Sequence, residues 1–110
     1  MGIFGGPSKD TLHTVTHGIA VVAMQIHRVQ QEDDDQREIL LNNMRNEGAP
    51  TNMNELIHEA AAVIRELNMG WYKKSQFLGM VFSSLVSVGF SMADAKYIQR
   101  QIELLSSISG

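Results

Sequence analysis

Cysteine is absent from this chain of 110 residues, and proline occurs only twice. A chain without cysteine forms neither a disulfide framework nor a thiolate metal site, and it is compatible with a reducing compartment. The longest apolar runs, at 18–24 and 77–82, are far shorter than the ~20 residues needed to cross a bilayer. The first residues also lack the basic and apolar regions of a signal peptide. We therefore expect a soluble, cytoplasmic protein.

Sequence motifs of nucleophilic and nucleotide chemistry are also missing. The chain contains no G-x-S-x-G nucleophile elbow, no G-x-x-x-x-G-K-[ST] phosphate loop and no G-x-G-x-x-G dinucleotide fingerprint. Paired carboxylates occur only in the run at 32–35. A solvated turn whose carboxylates favour the start of the next helix accounts for that run without catalysis. We therefore expect no enzymatic activity and no bound cofactor.

The composition itself is ordinary for a globular protein, with 44% hydrophobic and 19% charged residues. A chain of this length can close one modest core. We therefore interpret 1–110 as a single helical domain in which 1–9 form a flexible lead-in. The net charge is −3, and neither half of the chain has the strongly basic surface that nucleic-acid binding usually requires.

Apolar residues recur at spacings of three and four, which predicts amphipathic helices. The first two predicted helices run from a cap at Ser8 or Asp10 to about Gln31, and over 35–45. The others run from the N-cap Asn52 to a stop at Gly70, over 75–88, and from the cap Ser91 to a fraying end after Ser106. Short connections favour antiparallel neighbours. The sequence thus predicts an all-α fold, a compact four- to five-helix bundle with mostly antiparallel helices.

The first helix carries two different stripes. The first is apolar and is expected to face the core: Leu12, Val15, Ile19, Val22, Ile26 and Val29. The second, here called the histidine stripe, is small and semi-polar: His13, His17, Ala20, Met24 and His27. Such a surface is more typical of an interface than of a core, and methionine adapts well to partners. We predict that it contacts another protein or a second copy of this chain, in a non-enzymatic protein of adaptor, chaperone or inhibitor type.

DNA binding is an alternative function. The segment 85–100 matches part of a helix-turn-helix pattern, with a glycine in the turn. In that case Lys96, Gln99 and Arg100 are the residues expected to contact nucleic acid. The acidic Asp94 at the start of the second helix disfavours this interpretation, so nucleic acid is the less favoured partner.

Metal binding is a third possibility. His13 and His17 are spaced to share one ion, and Glu55 and His58 form a Glu-x-x-His motif of the kind used in di-iron bundles. Such a site needs a second motif and further carboxylates, which the chain lacks. Glu55 and His58 also lie on the polar side of their helix. We therefore assign no metal ligands.

The segment 71–74, Trp-Tyr-Lys-Lys, is predicted to form an amphipathic corner between two helices. Aromatic and basic side chains together can bind a partner. A single tryptophan in a domain of this size is more often an anchor of the core. We therefore expect Trp71 to be buried.

Overall fold

The computed structural model describes residues 7–108, and within this range the chain forms five α-helices and no strands. The helices are α1 (Lys9–Val29), α2 (Asp34–Asn46), α3 (Met53–Glu66), α4 (Trp71–Val88) and α5 (Met92–Ile108). The predicted all-α bundle is confirmed. Residues 1–6 of the predicted lead-in lie outside the described residues, whereas Ser8 and Lys9 already belong to the start of α1.

Side-chain caps explain where most of these helices begin. The Ser8 hydroxyl accepts a hydrogen bond from the backbone N–H of Thr11 at 3.2 Å, which decides between the two predicted caps of α1. The Asn52 and Ser91 side chains cap α3 and α5 in the same way, at 2.9 and 3.1 Å. Asp33 caps α2 at 2.9 Å, so the acidic run serves as a helix start. Each cap satisfies an N–H group that would otherwise lack an acceptor.

The boundary between α3 and α4 differs from the prediction. α3 ends at Glu66, and Asn68 then turns the chain with a φ of 54°, a left-handed conformation that asparagine tolerates better than most residues. Gly70 is the N-cap of α4 and does not end α3. α5 continues past the predicted fraying point to Ile108. Ser106 is buried, and its hydroxyl donates to the Glu103 carbonyl oxygen at 2.8 Å.

Four of the helices form a closed ring of contacts, in which α4 packs against α1 and α5, and α3 packs against the same two helices. The largest fully buried side chains come mainly from these helices: Phe77, Leu12, Ile26, Leu85, Ile102, Val81 and Thr16. Thr16 is accommodated because its hydroxyl donates to the His13 carbonyl oxygen at 3.2 Å. α2 packs mainly against α1, and Met44 is its one fully buried residue.

α4 and α5 form an antiparallel hairpin. Lys74 Nζ donates to Ser107 Oγ at 3.1 Å near one end of the pair, and Lys96 lies 5.8 Å from the centroid of the Phe82 ring near the other. The turn is at Gly89, whose φ of 122° is rarely adopted by residues with a side chain. No helix within residues 7–108 is both long and apolar enough to span a membrane.

Candidate functional site

The structure divides the histidine stripe between core and surface. Ala20 is 0% exposed and belongs to the hydrophobic core, so its assignment to an accessible interface was wrong. The physical reason is that α1 contacts both α3 and α4. A helix covered by two neighbours buries a wider arc than one apolar stripe. His13 and His17 remain exposed.

The remaining two members of the stripe lie near the α4–α5 turn. The His27 ring is 5.7 Å from the Phe90 ring, centroid to centroid, and its Nε2 lies 3.2 Å from Gln31 Nε2. Met24 is half-buried, and its terminal carbon is 3.3 Å from the position that a Cβ on Gly89 would occupy. These contacts place the C-terminal ends of α1 and α4 at the same end of the bundle.

The accessible apolar surface beside Met24 is contributed by Val21, which is 37% exposed. With Val88 of α4 and the polar Gln25 and Arg28, these residues line a shallow groove of about 380 Å³. The predicted stripe therefore keeps three exposed histidines and one partly accessible methionine, without the small apolar centre that Ala20 was expected to provide.

The residues of the DNA-binding alternative are partly occupied by contacts within the fold. Gln99 is half-buried and donates from Nε2 to the Leu78 carbonyl oxygen at 3.1 Å. Lys96 is exposed and lies over the Phe82 ring, and Arg100 is exposed. The segment 85–100 lies within the antiparallel hairpin, whereas the helices of a helix-turn-helix motif cross at about 90–120°.

The predicted Glu-x-x-His motif has a structural role at the start of α3. Glu55 Oε1 accepts hydrogen bonds from the backbone N–H of Thr51 at 2.9 Å and from its hydroxyl at 3.2 Å. In a standard capping box, the Glu55 side chain would accept a hydrogen bond from the N–H of the N-cap residue Asn52. Here it accepts from the residue before the N-cap. Among residues 7–108, no three histidine, aspartate or glutamate side chains come together as they would around a metal ion.

Trp71 is 80% exposed, so the prediction of a core anchor was wrong. It is the first residue of α4, whereas Lys73 and Lys74 of the same turn are half-buried. The aromatic anchor of the core is instead Phe77, which is 0% exposed. Trp71 stacks edge-on against Tyr72 with ring centroids 6.2 Å apart, and Tyr72 is itself 65% exposed.

Both helices of the hairpin carry exposed apolar side chains at this end. The hydrogen bond between Lys74 and Ser107 brings the first turn of α4 beside the last turn of α5. Two exposed aliphatic residues of α5 lie near this end, Leu104 and Ile108, at 51% and 79% exposure. We name the set the terminal patch: Trp71, Tyr72, Leu104 and Ile108. Lys73 and Lys74 supply the positive charge beside it.

Sequence reasoning missed the terminal patch, although part of its signal was present. Leu104 and Ile108 are spaced by four and do not belong to the Ala95–Ile98–Ile102 stripe that faces the core. A second apolar spacing on a helix already covered on one side indicates an unpartnered face. This face of α5 lies near the start of α4 only because the two helices pack as an antiparallel hairpin.

A second feature, named here the acidic groove, lies between α1 and α3 and encloses about 420 Å³. Its apolar and small lining residues are Gly18, Ile19, Val22, Pro50, Leu56, Ala60, Ala62 and Val63. Glu59 and Glu66 complete the lining, and both are exposed. Neither carboxylate forms an ion pair within the described part of the chain. A Cβ at Gly18 would meet no atom within 4 Å, so the groove is open above α1.

No family model, no curated protein sequence and no solved structure matches this chain.

Proposed function

We propose that this protein is a small, non-enzymatic interaction protein that binds another protein chain through the terminal patch. The observation that carries the proposal is the 80% exposure of Trp71 at the start of a helix. Tryptophan and tyrosine are enriched in the centres of protein interfaces, where they dominate the binding energy. Regulatory, adaptor, chaperone and inhibitor proteins all act in this way, and a cysteine-free chain suits the reducing cytoplasm.

The physical argument rests on the grouping of these side chains. Single exposed apolar residues are normal on protein surfaces, whereas several large ones at one site are typical of interaction surfaces. Trp71 and Tyr72 are rigid aromatic groups already in contact with each other. They therefore lose little conformational entropy when a partner covers them.

The histidine stripe is a weaker basis for partner binding than the terminal patch. With Ala20 in the core, its exposed members are polar imidazoles and its one flexible apolar group, Met24, is half-buried. Binding energy comes chiefly from apolar and aromatic anchors that become fully desolvated. The histidine stripe stays a prediction of a protein contact, and the terminal patch is the primary surface that we propose.

The test is affinity capture from the native host with the wild-type protein and two variants. Trp71→Ser removes the central ring of the patch, and we expect the specifically captured protein, whether a host protein or this chain itself, to be lost. Tyr97→Ser is the matched control, because Tyr97 is an aromatic residue of α5 with 61% exposure outside the patch. Equal capture by all three folded proteins would contradict the proposal.

A further inference from the structure

We propose that the terminal patch of one copy binds the acidic groove of a second copy, so that the protein self-associates through a patch-to-groove contact. This inference rests on the proposed function, because it names the partner of the patch. Two surfaces of one chain carry it. One carries exposed aromatic side chains followed by two lysines, and the other is a largely apolar groove that two glutamates also line.

Size and shape are the first argument for this pairing. The acidic groove is open to solvent and has a volume of about 420 Å³, which lies within the range of ~300–1,000 Å³ of clefts that hold small ligands. Its volume is therefore large enough for an indole ring. Its lining includes Gly18, which is exposed and has no side chain, so an aromatic ring can approach the backbone of α1 there. An aromatic side chain buried in this way removes about 150–250 Å² of surface from water.

Charge is the second argument. Glu59 and Glu66 line the groove without an ion-pair partner within residues 7–108. Lys73 and Lys74 follow directly after the two aromatic residues of the patch, and among the described residues the ammonium group of Lys74 bonds to the neutral hydroxyl of Ser107 and to no carboxylate. Two unpaired negative charges in one copy thus complement two unpaired positive charges in the other. Such charges at the rim mainly orient and accelerate association.

The proposed contact joins two different surfaces, so each surface can be altered by substitution without changing the other. Each copy offers one patch and one groove. A dimer closes if both contacts form reciprocally, and open assembly follows if they do not. In either case, a variant with a damaged patch keeps an intact groove, and a variant with a blocked groove keeps an intact patch. Two such variants complement each other when mixed.

The experiment uses the full chain and two single substitutions. Trp71→Ser damages the patch. Gly18→Leu blocks the groove, and it is compatible with the fold because a side chain at Gly18 meets open space and leucine favours a helix more than glycine does. Sedimentation of each protein alone is expected to show self-association weakened by roughly tenfold or more relative to wild type. The equimolar mixture of the two variants is expected to recover mixed assemblies.

Thermal unfolding of both variants verifies that each one folds, and Tyr97→Ser serves as the control that self-associates like wild type. A monomeric wild-type protein, an unaltered Gly18→Leu variant or a mixture without recovery would overturn the patch-to-groove contact. If Trp71→Ser still abolishes capture of a different host protein in those cases, the proposed function stands and only the identity of the partner is wrong. Weakening of wild-type assembly at high salt would support the contribution of the charged rims.

Discussion

Lys74 Nζ lies 3.1 Å from Ser107 Oγ, and this hydrogen bond joins the first turn of α4 to the last turn of α5. Residues that are distant in sequence thereby form one end of the bundle. The terminal patch depends on the antiparallel packing of α4 and α5, since Trp71 and Ile108 belong to opposite ends of the α4–α5 segment. The proposed interaction surface is thus a property of the hairpin rather than of either helix.

The two aromatic residues Trp71 and Phe77 are expected to differ sharply in their contribution to stability. Trp71→Ala should change the free energy of unfolding by no more than about 0.5 kcal/mol, because the side chain is 80% exposed. Phe77→Ala should reduce it by about 3–5 kcal/mol, because a fully buried ring leaves a cavity. Urea unfolding at low protein concentration measures both values. Comparable losses for the two variants would show that Trp71 is packed after all.

Substitutions at the neighbouring positions Ala20 and Val21 test which side of α1 faces the core. Ala20→Glu places an unpaired carboxylate in the core and should destabilise the protein by about 4 kcal/mol or more. Val21→Glu is the matched control at a residue that is 37% exposed, and it should cost less than about 1 kcal/mol. Circular dichroism during thermal unfolding separates the two. A stable, folded Ala20→Glu variant would contradict the burial of Ala20.

The two glycines Gly79 and Gly89 should respond in opposite directions to alanine. Gly89→Ala forces a side chain into a backbone with φ of 122° and against Met24, at 3.3 Å, and should cost about 1–3 kcal/mol. Gly79→Ala should stabilise the protein by about 0.5–1 kcal/mol, because Gly79 is exposed inside α4 and its Cβ meets nothing within 4 Å. Denaturant midpoints provide the comparison, and a shift of the same sign for both would refute this account.

Most of the fold could be predicted from local chemistry. Asn52 and Ser91 mark the starts of α3 and α5 because a short polar side chain reaches the free N–H groups of its own helix. The end of α3 was less predictable, since asparagine and glycine both adopt left-handed backbone and Asn68 precedes Gly70. The candidate sites were predicted least well, because the exposure of Gln99 and Trp71 depends on how the neighbouring helix packs against them.

The sequence by itself determined the helical class, the N-caps of α3 and α5 and the absence of any recognisable catalytic motif, because these depend on residues within a few positions of one another. Only the tertiary structure decided which arc of each helix is covered. Ala20 is buried and Trp71 is exposed because burial is set by the helices packed around a side chain, and hydrophobicity alone does not specify them. The terminal patch and the acidic groove arise from the same packing.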